Sequence, residues 1–99
     1  MLGKLTALPG KADELEGILL QAADVLGDSE DCLLYVVNRS ADEPDTVWVT
    51  EAWRSQEAHK ASLDLEEVGT LVRRAGPLLA GSPEPIRVRP VGGKGLDSS

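Results

Sequence analysis

The 99-residue sequence contains no phenylalanine and only one cysteine, one histidine and one tyrosine, beside two tryptophans. A single cysteine, Cys32, excludes a disulfide within the chain and a cysteine-rich zinc site. Long apolar runs are also missing, so the sequence predicts neither a transmembrane helix nor an N-terminal signal peptide. We therefore expect a cytoplasmic protein with one globular domain, which its length and composition also favour.

Positive charge is scarce, and the formal net charge is −7. Residues 1–51 carry 11 acids and 3 bases, whereas residues 52–99 carry 6 acids and 7 bases. Because such a chain offers no basic patch, we expect neither nucleic acid nor a membrane as a partner. A chain of this length hides only about two-thirds of its unfolded surface, which favours a homodimer.

The pattern of apolar residues and turn signals divides the chain into alternating strands and helices. We predict strands at 2–8, 32–39, 46–53 and 83–91, helices at 11–26, 55–61 and 65–75, and a polar, glycine-rich tail at 92–99. This order favours an α+β ferredoxin-like βαββαβ sandwich over residues 1–91, with both long helices on one face of an antiparallel sheet. Two copies sharing the bare face would form a dimeric α/β barrel.

The helix predicted at 65–75 has an acid just before its start and another in its first turn. Asp64 and Glu67 have the spacing of a capping box. The buried stripe that we predict for this helix consists of Leu65, Val68, Val72 and Ala75.

The third strand carries an acid within an apolar run. Side chains alternate along a strand, so Val47, Val49, Glu51 and Trp53 share one face and Trp48, Thr50 and Ala52 the other. A carboxylate in these surroundings is expected to be partly desolvated and able to accept a proton from a ligand. The alternative is a structural role, in which Glu51 bonds a helix terminus or pairs with Arg39, Arg54 or Arg73.

The few aromatic residues are the other candidates for a site. Trp53 and Trp48 either fill the core or line a pocket for a planar ligand. Tyr35 either donates a hydrogen bond to a ligand or fills the core, and the register that would place it beside Glu51 remains open. His59 is expected to be a lone, exposed histidine, and Cys32 an inert buried thiol.

Three segments together resemble the antibiotic biosynthesis monooxygenase family and its quinol monooxygenase relatives. They are KLTALPGKADEL, DCLLYVVNRSADEPDTVWVTEAWRSQEAHKAS and GPLLAGSPEPIRVRPV. The resemblance implies the ferredoxin-like fold and the dimeric barrel. It also implies oxidation of a phenolic or quinol substrate by molecular oxygen without a cofactor, with Glu51 as base and Trp53 and Tyr35 as walls of the pocket.

The sequence departs from this family at one polar position. Many members carry a histidine where this chain has Ser62, so His59 would have to substitute for it. Haem-degrading relatives add an asparagine on the first strand and a histidine on the second helix, and this chain has neither at those places, which makes haem an unexpected substrate. The alternative to an enzyme is a non-catalytic dimeric barrel, which predicts Glu51 in an ion pair without a cavity beside it.

Overall fold

A computed structural model of the chain describes residues 1–95. Within them lie the strands β1 (Leu2–Thr6), β2 (Cys32–Arg39), β3 (Thr46–Trp53) and β4 (Glu84–Ile86), the helices α1 (Ala12–Leu26), α2 (Gln56–Leu63) and α3 (Glu66–Ala75), and a 3-10 turn, Gly76–Leu78. The strands form one sheet in the order β2-β3-β1-β4, and all neighbours are antiparallel. The predicted ferredoxin-like α+β fold is confirmed.

The core lies between the sheet and α1, which supplies the apolar side of an amphipathic helix. Leu15 of α1 and Val47 of β3 are fully buried where these elements meet. The remaining buried members of this cluster are Ala7, Ala12, Ile18, Leu19, Ala22, Val49, Leu71 and Ala75. One face of the sheet is therefore covered, and the opposite face carries no helix.

The start of α3 differs from the sequence prediction. Leu65 is its N-cap residue and makes no side-chain capping bond, so the predicted capping box is wrong. The reason is that Asp64 ends the preceding helix, where its backbone N–H donates to the carbonyls of Ala61 and Ser62. The predicted stripe is also half wrong, because the buried residues of α3 are Val68, Leu71 and Ala75, while Leu65 and Val72 are exposed.

The last strand is shorter than predicted. β4 spans only Glu84–Ile86, where 83–91 was expected, and residues 87–95 are exposed. Ile86 pairs with Leu2, the first residue of β1, so β1 offers no further strand residue for β4 to pair with. Of the predicted tail, 92–99, the last four residues lie outside the described part of the chain. In residues 1–95, no helix is both long and apolar enough to cross a membrane.

Candidate functional site

The register of the β2–β3 hairpin places Tyr35 directly opposite Glu51. The backbone of Glu51 is paired on its other side, since its N–H donates to the Met1 carbonyl at 2.8 Å. Tyr35 and Glu51 are therefore a non-hydrogen-bonded pair, the type in which facing side chains approach most closely. The question that the sequence left open is resolved, because both side chains point to the helix-covered face.

The carboxylate of Glu51 is the centre of a small polar cluster. Only 12% of its side chain is exposed. The indole Nε1 of Trp53 donates to Glu51 Oε1 at 3.0 Å. The ring nitrogen Nε2 of His59 lies 3.7 Å from the same oxygen. Two side chains from different elements thus converge on one carboxylate oxygen.

The arginines considered as structural partners of Glu51 are engaged elsewhere. Arg39 donates to Asp13 Oδ1 at 2.8 Å, and this bond raises the pKa of the exposed guanidinium. Arg54 lies 3.5 Å from Asp31 Oδ1. Arg73 donates to the Thr70 hydroxyl at 3.1 Å. The alternative of an arginine ion pair at Glu51 is therefore wrong.

His59 is brought to the sheet by the start of α2. Ser55 caps this helix by accepting a hydrogen bond from the backbone N–H of Ala58 at 3.1 Å. The imidazole then stands 5.3 Å from the indole of Trp53, ring centre to ring centre, and is tilted by 51°. Its side chain is 27% exposed. The expectation of a lone, exposed histidine is wrong, because the first turn of α2 folds back onto the end of β3.

Tyr35 and Cys32 border the cluster on the β2 side. Burial, reinforced by the negative charge of Glu51, raises the pKa of the Tyr35 phenol above its ordinary value. The phenol therefore stays protonated and able to donate a hydrogen bond. Cys32 is paired with Trp53 across the strands. Burial raises the pKa of its thiol, which agrees with the expected inert cysteine.

Trp48 lies on the other side of the sheet from Glu51. It pairs with Lys4 of β1 and Asn38 of β2, and the Lys4 ammonium sits 5.8 Å from the centre of its ring. The sheet itself separates this indole from the Glu51 cluster. The prediction that Trp48 binds the same substrate as Trp53 is therefore wrong, and the reason is the strand's alternation of side chains.

Gly3 leaves part of the covered face without a side chain. It pairs with Val49, so its α-carbon hydrogen points to the same face as Glu51, about 7–8 Å away on the diagonal. A Cβ added at Gly3 would meet no atom within 4 Å. Open space therefore lies above Gly3, on the same face of the sheet as the Glu51 cluster. Sequence interpretation missed this residue, although an isolated glycine inside a strand is a known signal of close approach by a ligand.

A second opening is unrelated to these residues. A groove of about 350 Å³ lies between α1 and α3. Its lining residues are Gln21, Val25, Glu66, Glu67, Thr70 and Leu71. None of the residues that we predicted for the site lines it. The described residues also hold no group of three or more His, Cys, Asp or Glu side chains arranged to bind a metal ion.

Comparison with known proteins identifies the family to which the chain belongs. The family model for antibiotic biosynthesis monooxygenase matches residues 1–74, which is most of the chain. The chain belongs to this family. A comparison with curated proteins yields no match.

Solved structures of similar proteins include two with substantial sequence identity. A provisionally named antibiotic biosynthesis monooxygenase from Chloroflexus aurantiacus is 36% identical, with a TM-score of 0.74 over 92% of this chain and 95% of that one. One from Caulobacter crescentus is 31% identical, with a TM-score of 0.76 over 84% of this chain and 79% of that one. A protein from Mycobacterium tuberculosis has a TM-score of 0.83 over 94% of both chains, but at 17% identity it supports the fold alone.

Within this family, the position of Ser62 separates the chain from the members that carry a histidine there. Ser62 is buried, and its hydroxyl donates to the His59 carbonyl at 2.6 Å. The serine thus bonds the backbone of its own helix, while the imidazole of His59, one turn earlier, faces the carboxylate. The structure places the chain's only histidine next to Glu51, as a substitute for the missing one would require.

Proposed function

We propose that this family member is a cofactor-independent monooxygenase that oxidises a small aromatic quinol or a polyketide-like phenol with molecular oxygen. The observation that carries the proposal is the Glu51 carboxylate, which is held by Trp53 and faced by His59, with open space above Gly3 on the same face of the sheet. The provisional names of the Chloroflexus and Caulobacter relatives support the same class of reaction.

This reaction requires few functional groups from the protein. Loss of a phenolic proton makes an aromatic ring electron-rich enough to reduce oxygen itself. When the ring CH₂ group of an anthrone becomes a carbonyl, or when a hydroquinone becomes a hydroxyquinone, one oxygen atom of O₂ enters the substrate and the other leaves as water. The substrate supplies all four electrons, so the reaction needs no separate reductant. The protein has to bind the ring, accept the proton and limit access of water.

Each residue of the cluster has a place in this scheme. Glu51 accepts the phenolic proton, because a carboxylate with little solvent contact is a suitable general base. His59 Nε2 lies 3.7 Å from the same oxygen, so a closer approach of the imidazole on substrate binding would let it pass that proton to solvent. Trp53 fixes the carboxylate through Nε1 and offers its ring to the substrate, and the protonated phenol of Tyr35 can donate to a substrate oxygen.

The bare face of the sheet favours self-association. Trp48, Val36 and Ile86 lie on this face, and Val36 is 41% exposed. We infer that two copies cover this face in a dimeric α/β barrel, which would remove the exposed apolar side chains from water. If the Glu51 cluster has no catalytic role, this assembly is the remaining function, either alone or with a bound small molecule.

Glu51→Gln tests the enzymatic proposal. With a dihydroquinone or anthrone as substrate, we expect the rate of oxygen consumption to fall at least about tenfold, because the amide cannot accept the proton. Glu57→Gln is the matched control, since Glu57 is exposed on α2 and should leave the rate unchanged. Equal rates in both variants would remove Glu51 from the mechanism, and no oxygen consumption by the unaltered protein with these substrates would contradict the proposed activity.

A further inference from the structure

We propose that Gly3 determines how large an aromatic substrate the site accepts, and that the space above it holds the second ring of a fused-ring phenol. This inference rests on the proposed function and names a specificity residue within the same site. It concerns the part of the covered sheet face that lies beyond Glu51, where β1 contributes no side chain.

The backbone at Gly3 does not require a glycine. The glycines with positive φ among the described residues are Gly10, Gly92, Gly93 and Gly95, so Gly3 has a conformation that other residues adopt as well. A glycine inside a strand weakens the strand and packs nothing. Gly3 therefore has a cost for folding that its backbone conformation does not explain.

Packing does not require a glycine at this position either. A methyl group added at Gly3 would have no neighbour within 4 Å, so no helix or loop needs the close approach. The contrast with Gly27 is useful, because a Cβ there would lie 3.3 Å from the Asp24 carbonyl oxygen. Neither backbone conformation nor packing explains a glycine at position 3. The remaining property of this glycine is that it leaves the space above the strand empty.

The shape and chemistry of that space suit a planar, apolar group. Gly3 exposes flat strand backbone, and the side chain of its paired neighbour Val49 is packed into the core beneath that surface. Glu51 and Tyr35 stand as a facing pair beside this surface and provide the polar end. A phenol with its hydroxyl at Glu51 would thus lay its second ring over Gly3, a span of about 7–8 Å between positions.

The test compares a naphthohydroquinone with a benzohydroquinone as substrates for Gly3→Ala and Gly3→Val. We expect Gly3→Val to lower kcat/KM for the two-ring substrate at least about tenfold, with Gly3→Ala intermediate, while the one-ring substrate changes less than about twofold. Gly81→Val is the matched control, because a Cβ at this exposed glycine also meets no atom within 4 Å. Equal effects on both substrates, or none on either, would overturn the inference.

Two further measurements separate this inference from its alternatives. Urea unfolding should show the same or a higher midpoint for Gly3→Val, so a loss of activity cannot be ascribed to misfolding. Quenching of Trp53 fluorescence by naphthol and phenol, measured in a Trp48→Phe background, reports binding without turnover. If the unaltered protein consumes no oxygen, the proposed function fails, but weaker quenching by naphthol alone in Gly3→Val would still support the role of Gly3. Unchanged quenching by naphthol would contradict it.

Discussion

The two faces of β3 carry the chain's two tryptophans in opposite settings. On the helix-covered face, Trp53 donates to a carboxylate that is 12% exposed and contacts the only histidine. On the bare face, Trp48 lies under the Lys4 ammonium, beside the exposed Val36 and Asn38. One strand thus places a buried carboxylate cluster on one side and a surface of mixed apolar and polar side chains on the other.

Composition alone therefore cannot assign roles to the aromatic residues of a small protein. Both tryptophans lie in the same strand, five residues apart, and either could serve as core or as pocket wall. Alternation along the strand separates them, and the elements packed on each face then decide their roles. We assign chemistry to the covered face and self-association to the bare one.

The largest expected effect is on self-association through the bare face. Val36→Glu places a charge on the surface that we expect two copies to share, so the dimer should weaken at least about a hundredfold. Light scattering at micromolar concentration should then show the mass of one chain for the variant and of two for the unaltered protein. Leu20→Glu is the control, because Leu20 is 49% exposed on α1 and away from the sheet.

Two results of that experiment would contradict a shared bare face. One is a monomeric unaltered protein, which would rule out the dimeric barrel. The other is a dimer that survives Val36→Glu but dissociates in Leu20→Glu, which would move the interface to the helices.

A smaller expected effect concerns the titration of Tyr35 on the covered face. Since the pKa of Tyr35 is raised above its ordinary value of 10.0, the folded protein should form little phenolate when the pH passes 10. Below pH 10 the phenol is neutral in both states and its burial contributes fully to stability. Above pH 10 the unfolded chain loses its proton first, so the free energy of unfolding should decline as the pH rises further.

Ultraviolet absorbance of phenolate measures this directly, because Tyr35 is the only tyrosine. In urea the transition should return to the ordinary value, and Tyr35→Phe should abolish the signal. A folded protein that titrates near pH 10 would show that Tyr35 is not buried beside Glu51.

Much of the fold follows from the sequence because periodicity and turn signals are local. The βαββαβ order, α1 and the central hairpin all appear as predicted, and alternation alone placed Glu51 and Trp53 on one face. The prediction for β4 was too long, since Ile86 and Val88 alternate with arginines but tertiary pairing along β1 ends at Ile86. The predicted capping box is absent because Asp64 is the C-cap residue of α2 and not the N-cap residue of α3.

The site was less predictable because it depends on contacts between elements. No local signal sets the register that pairs Tyr35 with Glu51, and none turns His59 from solvent toward the carboxylate. The alternation of side chains along the strand already predicts Trp48 on the opposite face of the sheet from Glu51, although its aromatic ring had also suggested a role in a pocket. Gly3 went unnoticed since an absent side chain acquires meaning only when the space around it is known.

Oxygen consumption by Trp53→Phe and Trp48→Phe tests the central claim most directly, because the same substitution is made on opposite faces of one strand. Trp53→Phe keeps a ring but loses the bond to Glu51 Oε1, and we expect the rate with a dihydroquinone to fall about tenfold, or about 1.4 kcal/mol of activation free energy. Trp48→Phe should retain the full rate. The opposite pattern, or equal losses in both variants, would contradict the assignment of chemistry to the helix-covered face.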